Sequence, residues 1–355
     1  MKRVNILLKP VSDSCNLDCN YCFYKGKSAN LFANNSCHMS LITAKTVVKS
    51  AIEAADEGIS LILQGGEPML LGKEAIDELA SYARSSAPDK MTVELSIQTN
   101  GTLIDEEWAG IFKRHDFLVG LSIDGWKELN DRQRSNSTDE VLRAAKILRC
   151  FGVRYNVLSV ITEDTLPFPR EYFSSLACHR YLQPIPVHKK SGGLDALKYG
   201  EFLCGLFDCY FDAIMSGDPI SILPFDSILM IMLYGRSGSC VGDGRCGGYL
   251  VVEADGSVYP CDFYVEKDLC LGNVNTQSIA ELALSEKAKE FIKESYRIDK
   301  KCRECRWLTL CRGGCKKLRL NNAYLYCESY KMLFEYAFNK FIILKKELEK
   351  EKRNG

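Results

Sequence analysis

Three cysteines within eight residues, Cys15-Asn16-Leu17-Asp18-Cys19-Asn20-Tyr21-Cys22, constrain this chain more than any other feature of its 355 residues. A loop that tight can wrap one small inorganic centre. Three thiolates hold three irons of a cubane cluster and leave the fourth without a protein ligand, as a cluster must if it is to bind and reduce a small molecule. A zinc knuckle, with Cys37 or His38 as fourth ligand, and buried bystander thiols are the other readings of the segment. The chain carries 17 cysteines, an odd number that cannot be fully paired. Met1-Lys2-Arg3 is a basic start, but the apolar stretch after it falls short of the roughly 7–15 residues of a signal-peptide core. The expected compartment is cytoplasmic, and there cysteine density points to metal ligation or redox chemistry rather than disulfides.

Length predicts two domains, or one large domain with an appendage. The 46 basic residues cancel the 46 acidic ones, so no global field draws the chain to nucleic acid or to an anionic membrane, and any partner is recognised locally. Apolar runs fall far short of the ~20 residues of a membrane span. Short β-branched runs alternate with helical patterns through the first half. Strands are expected at Asn5 to Leu8, Ser60 to Leu63, Thr92 to Gln98, Phe117 to Ile123, Tyr155 to Ile161 and Tyr181 to Pro184. Helices are expected at Leu41 to Glu57, Lys73 to Arg84, Glu106 to Arg114, Thr138 to Phe151 and Arg170 to Leu176. Alternation of this kind builds a parallel sheet with right-handed crossovers, and six steps suit a partial (β/α)6 barrel in the α/β class. From Tyr199 the texture changes to a helix pair (Glu201 to Ser216, Asp226 to Tyr234), a hairpin turning at Asp255-Gly256, a cysteine cluster and a terminal helix from Ser329 to Glu351.

The second cysteine group comprises Cys240, Cys246, Cys261, Cys302, Cys305, Cys311, Cys315 and Cys327. Eight thiols match two fully ligated cubane clusters, and also fit two zinc ribbons of four thiolates each. Gln64-Gly65-Gly66-Glu67-Pro68, Gln98-Thr99-Asn100-Gly101 and Ser122-Ile123-Asp124-Gly125 each end a strand, where a barrel of this type places its chemistry. Taken singly, each is also an ordinary turn.

Cys15-x3-Cys19-x2-Cys22 after the first strand, with those strand-end motifs, resembles the radical S-adenosylmethionine superfamily. The order of the later cysteines resembles the SPASM extension of peptide-modifying radical enzymes. Cys22-Phe23-Tyr24, Gln98 to Asp105, Val119 to Gly125 and above all Tyr259-Pro260-Cys261-Asp262-Phe263-Tyr264 narrow the match to the anaerobic sulfatase-maturating enzymes, from about Val4 to Phe338. The resemblance implies a barrel over 1–224, a SPASM domain over 225–327 and a C-terminal helix over 328–355. It implies S-adenosyl-L-methionine and three 4Fe-4S clusters. Cys15, Cys19 and Cys22 would hold the first cluster, Cys240, Cys246, Cys261 and Cys315 the second, and Cys302, Cys305, Cys311 and Cys327 the third. Gly65, Gly66 and Glu67 would receive the amino group of S-adenosylmethionine, Ser122 and Arg134 its ribose and carboxylate, and Tyr21 would pack beside it. Val187 and His188 stand where the family packs an apolar residue on adenine, and that contact is left unassigned. The remaining six cysteines, Cys37, Cys150, Cys178, Cys204, Cys209 and Cys270, read as small core hydrophobes.

By the same resemblance, a 5'-deoxyadenosyl radical removes hydrogen from Cβ of a Cys or Ser in an unfolded sulfatase peptide. Asp262 then takes the thiol or hydroxyl proton as catalytic base while a second electron leaves, giving Cα-formylglycine. Burial beside a cluster ligand is expected to raise the Asp262 pKa. Tyr24 and Gln64 would contact the peptide, and a flavodoxin or ferredoxin would donate electrons. Neither a nucleic acid nor a membrane is expected as a partner. An alternative keeps the architecture and makes thioether or other crosslinks in a ribosomally made peptide. Such enzymes often carry an N-terminal peptide-binding domain, for which the 14 residues before Cys15 leave no room. A non-enzymatic iron or zinc protein is the third reading.

Overall fold

The computed structural model describes residues 1–27, 38–188 and 193–354, with side chains to 350. Its main elements are β1 (Arg3–Leu8), α1 (Leu41–Ala54), β2 (Gly58–Leu63), α2 (Lys73–Ser86), β3 (Thr92–Thr99), α3 (Glu106–Arg114), β4 (Phe117–Ser122), α4 (Lys127–Gln133), α5 (Thr138–Cys150) and β5 (Tyr155–Ile161). There follow α6 (Pro169–Leu176), β6 (Tyr181–Pro186), α7 (Ala196–Met215), β7 (Ser221–Ile222), α8 (Leu223–Tyr234), β8 (Leu250–Val252), β9 (Ser257–Tyr259) and β10 (Gly272–Asn273). The chain closes with α9 (Ile279–Ala283), α10 (Glu286–Glu294), α11 (Lys300–Arg303), β11 (Arg319–Leu320), β12 (Ala323–Tyr324) and α12 (Cys327–Asn354). All six expected strands form, within two residues of the anticipated ends. The α/β class and its parallel β/α steps hold.

The chain divides into two compact units, each made of separate segments. The first comprises Met1–Ser122, Gln133–Tyr155 and Gly247–Ile292. In it β1 to β4 run parallel in order, with Ile6 opposite Leu61, Leu61 opposite Leu95 and Ile97 opposite Val119. These positions are almost wholly buried, while Glu94, Ser96 and Gln98, which alternate with them on β3, are exposed or partly so, the period-two pattern of a sheet with one face more deeply covered. Local signals set the helices. Ser40 caps α1 by accepting the Thr43 N–H, and Asp105 caps α3 by accepting the Trp108 N–H.

The hairpin β8–β9 was expected, but its docking was not. Strand β8 pairs parallel with β1, Ile6 opposite Leu250, so a segment some 240 residues downstream extends the N-terminal sheet in the order β10-β9-β8-β1-β2-β3-β4. Pairing across such a separation leaves no local trace, since a three-residue strand carries no partner information. Helix α9 secures the same region: the Ile279 N–H donates to Ser50 Oγ of α1 at 2.7 Å.

The second unit comprises Ile123–Arg132, Asn156–Cys246 and Lys293–Gly355. Within it β6 lies between β5 and β7, all parallel. Helix α12 packs on α7 through Phe207 and Phe341, ring centroids 4.4 Å apart, and Tyr199 and Tyr326, 4.8 Å apart. A Cβ on Gly200 would lie 3.1 Å from the Ser329 Cα, so the absent side chain lets the two helices approach closely. Among the described residues no helix is long and apolar enough to cross a membrane.

Candidate active site

The three cysteines of the first triad lie on the loop after β1, and no disulfide forms among the described residues. The loop turns back on itself, with the Cys22 N–H donating to the Cys19 carbonyl at 3.2 Å. The Leu17 N–H and Asn100 Nδ2 approach Cys15 Sγ at 3.4 and 3.9 Å. Among the described residues no three His, Cys, Asp or Glu side chains close on a single-ion site. Cys37, one candidate for a zinc ligand, lies outside the described residues.

The Gly65-Gly66-Glu67 turn is sewn to the segment that leads into Cys15. The Gly66 N–H donates to the Ser12 carbonyl at 2.7 Å and the Glu67 N–H to the Ser14 carbonyl at 2.8 Å. A Cβ on Gly66 would fall 1.9 Å from the Ser14 oxygen, so only glycine permits the approach. Glu67 is fully buried and its carboxylate is fully engaged: Oε1 accepts from the Met69 N–H (3.1 Å) and Thr99 hydroxyl (2.8 Å), and Oε2 from the Asn100 N–H (2.8 Å). Burial pushes its pKa to about 7 against the opposing hydrogen bonds. Its side chain therefore holds the turn after β2 to the end of β3.

Around the turn, Asn100 Nδ2 donates to Asn16 Oδ1 at 2.9 Å, while Gln98 Nε2 donates to Ser122 Oγ at 2.9 Å. The buried Arg134 guanidinium donates to the Tyr21 hydroxyl, and its charge reaches Glu67. The expected S-adenosylmethionine residues Tyr21, Gly65, Gly66, Glu67, Ser122 and Arg134 thus share one unit with the cysteine triad. Val187 is buried beyond β6, its N–H on the Ile161 carbonyl at 2.9 Å.

Asp262 follows the hairpin and is buried. Its Oδ1 accepts from the Tyr249 hydroxyl at 2.7 Å and the Phe263 N–H at 3.1 Å, and its carbonyl accepts from Lys27 Nζ at 3.1 Å. Sequence reasoning missed the residues behind it. Lys9 is buried under Tyr24, its ammonium 4.1 Å from the ring centroid, and its charge faces Asp262, Glu253, Cys261 and Cys22. Buried Glu253 accepts from Ser12 Oγ at 2.7 Å and from the Tyr24 hydroxyl. Burial lowers the Lys9 pKa and raises that of Glu253 to about 7. A charged residue in an otherwise apolar strand run, Leu7-Leu8-Lys9-Pro10, was the available signal. Tyr24 is buried with its hydroxyl given to Glu253, and Gln64 is half-buried with its backbone N–H on the Leu8 carbonyl at 2.9 Å.

In the second unit, Cys311 lies in the electrostatic reach of Cys327, Cys302 and Cys305, and burial pushes its thiol up to about 11. Burial and the nearby Cys315 raise the Cys246 thiol, and the Cys246 N–H donates to Ser295 Oγ at 3.0 Å. One guanidinium organises these loops: Arg319 donates to the carbonyls of Gly244, Ser295, Arg297, Gly313 and Gly314 at 2.6 to 3.1 Å. The expectation that all leftover cysteines are core hydrophobes fails for Cys150 and Cys178, which are exposed near the ends of α5 and α6. Cys204, Cys209 and Cys270 are partly buried.

The fold and these thiol-rich loops define a radical S-adenosylmethionine enzyme with an iron–sulfur-binding extension. Residues 10–166 match the radical SAM superfamily model and 240–306 match an iron-sulfur cluster-binding domain, SPASM. A cysteine-type anaerobic sulfatase-maturating enzyme of Clostridium perfringens is 38% identical over 96% of this chain and 98% of its own. A serine-type enzyme of Bacteroides thetaiotaomicron is 30% identical over 98% of this chain and 92% of its own. The solved structure of native anSMEcpe with bound AdoMet and Cp18Cys peptide superposes with a TM-score of 0.90, at 35% identity, covering 98% of this chain and 99% of that one. The chain belongs to the anaerobic sulfatase-maturating enzymes. Its cofactors are S-adenosylmethionine and iron–sulfur clusters, so the zinc readings and the non-enzymatic reading are set aside.

Proposed function

We propose that the site oxidises a cysteine of a sulfatase peptide to Cα-formylglycine, with serine as a second substrate, in the cytoplasm of an anaerobe. The carrying observation is the pairing of β8 with β1, which puts Asp262 in the same unit as the Cys15, Cys19 and Cys22 loop and within the field of Lys9. The high identity to cysteine-type relatives supports cysteine as the preferred target.

The residues present fit the cofactors by chemistry and by shape. Cys15, Cys19 and Cys22 offer three thiols on one loop, none in a disulfide, and the Gly65–Gly66 turn lies so close to the Ser12 and Ser14 carbonyls that a Cβ on either glycine would clash with them. Cys240, Cys246, Cys261 and Cys315 are proposed to hold a second cluster and Cys302, Cys305, Cys311 and Cys327 a third. That Cys327, Cys302 and Cys305 lie within electrostatic reach of Cys311, and Cys315 within that of Cys246, supports grouping those thiols. Functionally the chain then divides at about 224 and 327, the barrel residues serving the radical chemistry and 225–327 the electron path. When bound, S-adenosylmethionine and the first cluster supply a 5'-deoxyadenosyl radical.

The protein's part is to bind, orient and move a proton. The turn carbonyls at Gly65 and Gly66 receive the ammonium of S-adenosylmethionine, with Glu67 fixing the turn. Arg134 attracts the carboxylate, Ser122 retains a hydroxyl hydrogen for the ribose, and Tyr21 lines the same side. Gln64 and the Tyr24 ring face the peptide. Asp262 takes the thiol proton of the substrate, oriented by the hydrogen bond from Tyr249. An electron carrier of the flavodoxin or ferredoxin type is the proposed redox partner. The test is Asp262→Asn, which keeps the Tyr249 and Phe263 hydrogen bonds but removes the base. Loss of formylglycine by about 10²-fold or more, with 5'-deoxyadenosine still released, supports the role. Formylglycine at the wild-type rate excludes it.

A further inference from the structure

The chain is neutral overall, yet residues 293–319 hold ten Lys and Arg against three Asp and Glu, a local +7 that leaves −7 on the remainder. Four cysteines, Cys302, Cys305, Cys311 and Cys315, sit in this same segment. The excess is on the surface: Lys293, Arg297, Lys300, Lys301 and Arg303 are exposed, as is Arg306, which pairs with Glu335 at 3.3 Å. Of the three acids, Glu294 is held by Lys316 at 2.6 Å and Asp299 caps α11 through the Lys301 N–H, leaving Glu304, the residue after α11, as the exposed carboxylate. Lys300, Lys301 and Arg303 belong to α11 itself, the turn that carries Cys302.

Two exposed apolar side chains flank these cations. Tyr296 is 59% and Leu320 66% exposed, and the Arg319 bonds to the Ser295 and Arg297 carbonyls tie their two segments together. The Asp299 N–H adds a bond to the Asn322 carbonyl at 3.0 Å. A cationic face with an aromatic and an aliphatic anchor has the composition of a transient protein interface.

We propose that this face docks a small acidic one-electron carrier protein beside the cysteines at Cys302 and Cys305. The proposal rests on the formylglycine reading. That reaction is a two-electron oxidation of the peptide: one electron and one proton leave together as the hydrogen atom, and a second proton leaves to Asp262. The second electron must reduce an acceptor by one unit, and an oxidised carrier seated here accepts it. Opposite charge steers such partners quickly and releases them quickly, which suits a carrier that must come and go.

The test measures binding of an oxidised flavodoxin to the holoenzyme, separately from turnover. Wild type is expected to lose about tenfold or more in affinity when salt rises from roughly 0.05 to 0.3 M. Lys300→Glu/Lys301→Glu/Arg303→Glu is expected to lose binding, while turnover with a small chemical reductant stays at the wild-type level. The milder triple change to Gln serves if the reversed variant fails to assemble, judged by iron content, and should weaken binding by several-fold. Unchanged flavodoxin affinity in a folded variant overturns the proposal, as does equally tight binding of a single-stranded oligonucleotide, which would mark a nucleic-acid surface. Absence of formylglycine in wild type with the chemical reductant would sink the functional reading instead, and the binding data would still decide the surface.

Discussion

Replacing Glu67 with Gln isolates what the strand-end motif does. In the native site Oε1 accepts two donors and Oε2 accepts the Asn100 N–H. An amide keeps the first acceptor but puts an NH2 group against the Asn100 N–H, donor facing donor. A buried N–H left unsatisfied in this way costs about 1–3 kcal/mol. Against this, the variant no longer desolvates a carboxylate. Because the folded pKa of about 7 lies above the ordinary carboxylate value of 4.5, the folded state holds a proton that the unfolded state has lost between those two values. Wild-type stability therefore falls as pH rises through this window, and the loss is complete above about 7. Linkage gives a decline of about 2 kcal/mol between pH of roughly 5.5 and 7.5. Glu253, also near 7, contributes equally to both proteins and cancels in the difference. Thermal unfolding of anaerobic holoenzyme should thus show a pH-dependent loss in wild type that is smaller in Glu67→Gln by about 2 kcal/mol. S-adenosylmethionine affinity should drop about tenfold, or about 1.4 kcal/mol, as the turn shifts. Parallel pH profiles for the two proteins would refute the assignment of Glu67 as a buried, burial-shifted strut.

Other outcomes follow from the same contacts. Gly66→Ala places a carbon 1.9 Å from the Ser14 oxygen, and because both are backbone-anchored the turn must move; calorimetry should show S-adenosylmethionine binding weakened by at least about tenfold, with the later cysteine loops intact. Arg319→Met removes donors from five carbonyls on the loops that carry Cys246, Cys302 and Cys315. Iron per chain should fall toward the content of a single cluster, and iron at the wild-type level would deny Arg319 its organising role.

Much of this was legible because the informative residues are local in sequence. The thiols of Cys15, Cys19 and Cys22 fall within one loop, the β/α steps announce themselves by periodicity, and Asp255-Gly256 marks its own turn. Helix ends drifted: α8 begins at Leu223 rather than Asp226, with no side-chain cap at Ile222 and with Pro224 in its first turn. What escaped depends on distance along the chain. Neither Lys9 nor Glu253 proclaims its partner, since Ser12, Tyr24 and Asp262 meet them only once β8 has joined β1. Tyr249 likewise becomes a ligand of Asp262 through the close of a hairpin. Glu67 stands in a motif whose sequence marks a ligand turn but does not show that its side chain faces inward, where one donor at Met69 and two at the end of β3 meet its carboxylate. The local charge of residues 293–319 was visible in the sequence but hidden by a net charge of zero.

Mass spectrometry of a short Cys-x-Pro-x-Arg peptide and its Ser counterpart tests the central claim most directly. Each is incubated anaerobically with reconstituted protein, S-adenosylmethionine and a strong reductant. The Cys peptide is predicted to lose about 18 mass units and the Ser peptide about 2, the signatures of formylglycine made by radical cofactor chemistry. Accumulation of 5'-deoxyadenosine with both peptides unchanged would contradict the account, leaving the radical machinery in place and the crosslinking reaction as its use.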